Sequence, residues 1–308
     1  MKGDAVDVRL RHWSRWRRRQ LQFAWEHESH VDLMRSDARS LWLCSWQRSG
    51  STWLAEFLAS APGTRLVYEP ANLPGGLFTG EDAALAPLPE SPGPELASIG
   101  RAIRGRLRGR WVDQLTTGHV VHRRVVKDVR GVGLLGAVAA RHPRTPIVLL
   151  LRHPLSIASS VVSLGWTRDR GIAVDDQLLD EVRRWVGMHA SALRLPATSR
   201  AHVVTYEHLL AEPEQSLPPL LAYLGRHHPT WQRLQLDQGR LTAPSATSFR
   251  RREELSASEW IGTFDALSPA VVREAASILK RGGLGVLYAD TPEPLIEPGR
   301  VSAALRSH

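Results

Sequence analysis

The apolar run Leu41-Trp42-Leu43-Cys44-Ser45-Trp46 passes almost directly into Arg48-Ser49-Gly50-Ser51-Thr52-Trp53. A run this short, bounded by turn-forming residues, reads as a buried strand, and the periodic pattern after Gly50 reads as a helix. Small hydroxyl residues let the backbone curl tightly between the two. The freed N–H groups at the helix start then converge on one spot, at the positive end of the helix dipole. A strand that empties straight into a helix through an anion-binding turn belongs in a parallel sheet with helices on its faces. A phosphate is its natural occupant.

The rest of the chain repeats the alternation. Strands are expected at 41–46, 65–69, 125–127, 147–151 and 203–206, and helices at 52–60, 134–141, 155–164, 178–194, 213–224 and 269–281. That pattern predicts a single α/β domain over 40–290, with a central parallel sheet flanked by helices in the manner of the P-loop NTPases. Residues 1–39 read as a basic helical segment and 291–308 as a tail. The stretch 72–94 is rich in Pro and Gly and reads as a long loop within a variable region at 72–122. Ligands of open α/β sheets sit beyond the carboxyl ends of the strands. Arg48, Glu69, Lys127 and Arg152 all fall at such ends, which sets three cations and a carboxylate on one rim.

The turn departs from the nucleoside-triphosphate loop, Gly-x-x-x-x-Gly-Lys-Ser/Thr. Ser45 stands at the first Gly, Ser51 stands at the Lys, and the cation has moved to Arg48. The site is therefore shaped for a phosphate or sulfate ester other than Mg-ATP. The lone cysteine, Cys44, rules out an intramolecular disulfide framework and a Cys-based metal cluster. No run of 18 apolar residues and no signal-peptide core occur, so a cytoplasmic protein without a membrane span is expected. The net charge of +9 comes almost wholly from arginine, the only lysines being Lys2, Lys127 and Lys280. Arginines between Arg9 and Arg19 alternate with Trp13 and Trp16, a pattern that docks on the domain or lies on an anionic surface.

A second constellation follows the strand at 147–151. Arg152 precedes His153-Pro154, Pro opens a helix, and Ser160 lies two turns along it. The guanidinium fork suits a phosphate, and the serine adds a hydroxyl. Together the two motifs resemble the sulfotransferases that use 3′-phosphoadenosine 5′-phosphosulfate. In that family a strand–loop–helix like RSGSTW holds the 5′-phosphosulfate, and a strand-end Arg with a Ser eight residues on binds the 3′-phosphate. The resemblance assigns Arg48, Ser49, Gly50, Ser51 and Thr52 to the first role, and Arg152 and Ser160 to the second. It extends to VVTYEHLL, which implies Tyr206 beside the adenine, to Trp53 as an adenine contact, and to TSFRRREELSASEW, where Arg250 or Arg251 would reach the 3′-phosphate.

The resemblance implies in-line sulfuryl transfer to a hydroxyl acceptor, a small molecule and not a nucleic acid, with no metal. Arg48 would stabilise the leaving phosphate and Lys127 the transferring group. The His that serves the phenol and steroid enzymes as base is replaced here by Val129. Glu69, in LVYEP, resembles the Glu-Pro of the carbohydrate sulfotransferases and is the expected base, with His119 and His122 in reserve. That tilts the acceptor towards a carbohydrate or other alcohol. The competing readings are a P-loop nucleotide kinase or ATPase, which the absent Lys at position 51 opposes, and a basic polyanion-binding protein.

Overall fold

The computed structural model describes residues 31–32, 34–72, 93–116, 120–129, 131–164, 166, 171–195, 200–235, 266–297 and 300–304. Arg250, Arg251, His119, the arginines before position 30 and residues 73–92 of the expected loop lie outside the described residues. The strands are β1 (Val31–Asp32), β2 (Ser40–Ser45), β3 (Thr64–Tyr68), β4 (Val120–Val121), β5 (Arg123–Asp128), β6 (Ile147–Leu151) and β7 (Ala201–Thr205). The helices are α1 (Ser51–Ala59), α2 (Pro94–Ile103), α3 (Arg110–Asp113), α4 (Leu135–Arg141), α5 (Pro154–Ser163), α6 (Val174–Leu193), α7 (Tyr206–Ala211), α8 (Pro213–Gly225), α9 (Pro229–Gln232), α10 (Pro269–Arg281) and α11 (Val301–Ala304).

Five strands form one parallel sheet in the order β3-β5-β2-β6-β7, and β1 pairs with β4 beside it. The chain leaves β2 towards β3 on one side and leaves β6 towards β7 on the other, so the crevice of the topological switch opens between β2 and β6. Side chains alternate between two cores. Trp42 and Cys44 of β2, with Ile147, Leu149 and Leu151 of β6, join α2, α5, α6 and α10. Leu41 and Leu43, with Val148 and Leu150, join α1, α7 and α8. Burial on both faces is why these strands read as unbroken apolar runs.

Two stretches depart from the sequence reading. The strand expected at 125–127 runs from Arg123 to Asp128, and a helix, α2, stands in the region read as variable. Arg124 and Arg65 look like solvent residues in the sequence but are buried. Asp32 accepts from Arg124 Nε at 2.6 Å and Nη2 at 2.9 Å, and Arg65 Nε reaches Asp113 at 2.7 Å. Buried charges survive because they are paired. This network ties β1, α2 and α3 to the amino ends of β3 and β5, away from the rim where the strands empty. Tyr206, expected to end the last strand, instead begins α7.

Candidate active site

Because all five strands run parallel, their carboxyl ends share one edge. Glu69 follows β3, Lys127 lies near the end of β5, Arg48 follows β2, Arg152 follows β6 and Tyr206 follows β7. With strands about 4.8 Å apart, these residues form a row roughly 20 Å long.

The central turn is held in a strained shape. Arg48 has φ 58° and Gly50, the residue capping α1, has φ 80°. Glycine tolerates that region freely and arginine does not. A Cβ on Gly50 would run into Cε2 and Cδ2 of the Tyr206 ring, so only glycine lets the turn lie on Tyr206. Ser49, Ser51 and Thr52 are buried around the helix start, and Ser49 Oγ has no hydrogen-bond partner among the described residues. Buried polar atoms ordinarily find partners, so this hydroxyl, at the start of α1, is placed to meet a bound group. Trp53 packs inward against Phe57, with ring centroids 6.5 Å apart.

The second turn closes on the first. Arg152 Nη1 donates to the Arg48 carbonyl at 2.9 Å, and Arg48 Nε donates to Ser160 Oγ at 2.9 Å. Two segments more than a hundred residues apart therefore form one cationic crevice. The Arg152 guanidinium lies over the Tyr206 ring at 4.7 Å, and that of Arg48 over the half-exposed Trp166 at 5.7 Å.

At the far end, Lys127 Nζ meets Glu69 Oε1 in a buried ion pair. Asn72 Nδ2 donates to Glu69 Oε2 at 3.1 Å, and the Lys127 ammonium sits 4.4 Å from the Tyr68 ring centroid. Burial raises the Glu69 carboxyl, but the Lys127 charge and hydrogen bonds from Lys127, Asn72 and Tyr68 outweigh it, leaving the group below its ordinary value. Glu69 also has φ 41°; it and Arg48 are the two non-glycine residues of positive φ among the described residues. Its backbone is pinned by Glu69 N to Lys127 O at 2.8 Å, by Trp111 Nε1 to Glu69 O at 3.2 Å, and by Asp128, which accepts from Ala71 N at 3.0 Å. Strain of this kind persists where surrounding bonds over-determine it, and it concentrates at functional sites.

The sequence profile described as "Sulfotransferase family" matches residues 41–230, a span that carries both turns, the ion pair and Tyr206. The chain belongs to the sulfotransferase family. Solved structures similar to this sulfotransferase include one from Alicyclobacillus acidocaldarius (12% identity, 82% of this chain and 95% of that one, TM-score 0.43). Others are a mouse sulfotransferase complexed with PAP (15% identity, 90% of each chain, TM-score 0.46) and a Mycobacterium tuberculosis sulfotransferase (16% identity, 73% of this chain and 79% of that one, TM-score 0.38). Among curated proteins no significant match is found.

In this sulfotransferase the residues singled out from the sequence and described here gather on one rim. His122 does not join them; it lies by Gly63, at the start of β3. Lys127, which the sequence allows to be a surface residue paired with Asp128, is 2% exposed and paired with Glu69. Among the described residues no group of three or more His, Cys, Asp or Glu is placed to hold a metal ion, and no helix is long and apolar enough to cross a membrane.

Sequence reasoning missed the supports. Glu181 of α6 accepts from Trp46 Nε1 at 2.8 Å and Gln47 Nε2 at 3.4 Å, and so holds the entry to the first turn. Trp111 and Asn72 hold Glu69 from within the variable region 72–122. Glu207 lies behind the second turn. For Glu181 a signal existed, since an acid at a position in phase with Leu178, Val182 and Trp185 on the buried face of an amphipathic helix calls for a partner. Nothing local pointed to Trp111.

Proposed function

We propose that this sulfotransferase moves the sulfuryl group of 3′-phosphoadenosine 5′-phosphosulfate onto a hydroxyl of a carbohydrate or other small alcohol, with Glu69 as general base. The observation that carries the reading is the order along the rim: a carboxylate and a lysine in contact, then a cationic turn with an unpartnered buried hydroxyl, then a second arginine over a tyrosine ring.

That donor set fits the phosphosulfate. Arg48, the N–H groups and hydroxyls of Ser49, Gly50, Ser51 and Thr52, and Lys127 would hold its 5′ end, and Arg152 and Ser160 its 3′-phosphate. By the resemblance Tyr206 and Trp53 would contact the adenine, and Arg250 or Arg251 would be the further cation on the 3′-phosphate. Bound there, the donor supplies the sulfuryl group and an anionic leaving phosphate. The work of the chain is positioning and charge stabilisation. Arg48, fixed by Ser160, offsets charge on the leaving oxygen. Glu69 is ionised at neutral pH and takes the proton of the acceptor hydroxyl. The Lys127 charge keeps it ionised, and Lys127 would also meet charge on the transferring group. Trp111, whose ring stands edge-on to Tyr68 at 5.4 Å, forms a wall at the Glu69 corner and belongs to the acceptor side.

The test is calorimetric titration with adenosine 3′,5′-bisphosphate and, separately, Mg-ATP. The expected result is selective binding of the bisphosphate, weakened about tenfold to a hundredfold in Arg152→Ala, the scale of a lost charge-assisted hydrogen bond. Equal binding of Mg-ATP, or an unaffected Arg152→Ala, overturns the donor reading. Turnover of labelled donor with sugar alcohols but not phenols is the expected acceptor pattern.

A further inference from the structure

β7 ends at Thr205, and the next two residues, Tyr206 and Glu207, open α7 directly behind the exit of β6. They act on two consecutive residues of the neighbouring strand end. Tyr206 lies under the guanidinium of Arg152, and Glu207 Oε1 accepts the backbone N–H of His153 at 2.7 Å. The other Glu207 oxygen, Oε2, accepts from Tyr288 OH at 3.1 Å, in the segment that follows α10. The same segment holds the His153 ring: Nε2 faces the Ala289 carbonyl at 3.3 Å, and the imidazole meets the Tyr288 ring edge-on at 4.9 Å. His153 Nδ1 accepts from Leu155 N at 3.1 Å and so caps α5. The ring is therefore neutral, with its proton on Nε2. Burial, and then the Arg152 charge, push it down to about 3 against the Ala289 hydrogen bond.

Glu207, Tyr288 and His153 are all buried. A carboxyl group in that position is costly unless its oxygens find donors. Its oxygens are spent on the turn that presents Arg152 and on the segment that backs it. We propose that Glu207 is the positioning residue that sets the anion-binding shape of the Arg152 turn, locking it to the Tyr288–Ala289 segment. The clamp rests on the reading of Arg152 as a phosphate contact and adds how that contact is aimed. Glu207 touches no substrate; it acts through the His153 N–H and Arg152.

The experiment is a cycle of Glu207→Ala, Arg152→Ala and the double variant, with affinity for adenosine 3′,5′-bisphosphate as the readout. Glu207→Ala is expected to weaken binding about tenfold or more and to leave the acceptor KM unchanged, whereas in the Arg152→Ala background it is expected to do nothing further. Glu207→Gln is expected to bind within about threefold of the parent, because its amide oxygen still accepts from His153 N–H. Should Glu207→Ala fail to fold, Glu207→Asp serves instead: it keeps the charge, withdraws the oxygen by one methylene, and is expected to weaken binding to a similar degree. Parent-like binding by Glu207→Ala or Glu207→Asp, or an equal loss in the Arg152→Ala background, overturns the clamp. Parent-like binding by Arg152→Ala alone overturns the donor reading itself, which separates the two failures.

Discussion

Removing either member of the Lys127–Glu69 pair should separate stability from chemistry. Lys127 is 2% exposed and Glu69 is 7% exposed, so neither charge can turn to water when its partner goes. Lys127→Met leaves Glu69 with the Asn72 hydrogen bond and no counter-charge, and is expected to cost about 3–5 kcal/mol, the range for breaking a buried pair. Glu69→Gln is milder, about 2–3 kcal/mol, because the amide oxygen can still accept from Lys127 and the ammonium retains the Tyr68 ring. If the two groups act as a unit, the double variant loses much less than the sum, with a coupling of about 2 kcal/mol or more. Urea unfolding at pH 7, followed by fluorescence of the chain's 11 tryptophans, reads all three. The pair contributes above the ordinary carboxylate pKa and is lost as pH falls through the lowered value of Glu69, so the coupling should shrink on acidification. Turnover of labelled donor gives the second readout. Glu69→Gln should lower kcat by about 100-fold or more while bisphosphate affinity stays near that of the parent. Additive costs within about 0.5 kcal/mol would refute the coupled pair, and full turnover in Glu69→Gln would refute the base.

Gly50→Ala combines a left-handed backbone with a Cβ driven into the Tyr206 ring; a cost of about 2–5 kcal/mol in urea unfolding is expected, with weaker bisphosphate binding because Tyr206 also supports Arg152. A change under about 0.5 kcal/mol would show that the turn is not pressed on Tyr206. Burial, offset in part by the His153 N–H, raises Glu207 from 4.5 to about 7. Its proton is bound more tightly in the folded state, so the stability it lends is fully present below 4.5 and is lost as pH rises through 7. Relative to Glu207→Gln, the parent should lose about 3 kcal/mol across that window in urea melts. A flat difference would contradict the raised value.

Much of the rim was legible because its parts are local. The turn from Arg48 to Trp53 declares itself by an apolar run, small hydroxyl residues and a helical period, and Arg152-His153-Pro154 by the proline that starts α5. Each is a property of a few adjacent residues. The strand 123–128 was shortened in the reading because Arg123, Arg124 and Asp128 look solvated, and their burial depends on partners elsewhere in the chain. Helix α2 was hidden for another reason: Gly100 interrupts the period of Leu96, Ile99 and Ile103, and packing restores what propensity withholds.

By itself the sequence determined the α/β alternation, the tight turn into α1 and the set of charges at the strand ends, since periodicity and turn chemistry act at short range. Tertiary structure decided which of those charges meet. The order β3-β5-β2-β6-β7 sets Lys127 against Glu69 across 58 residues and Arg48 against Ser160 across 112. It also decided that Glu207 would lie behind Arg152. Hydrogen bonds and ion pairs between distant residues depend on strand order and register, and those follow from how both faces of the sheet are covered.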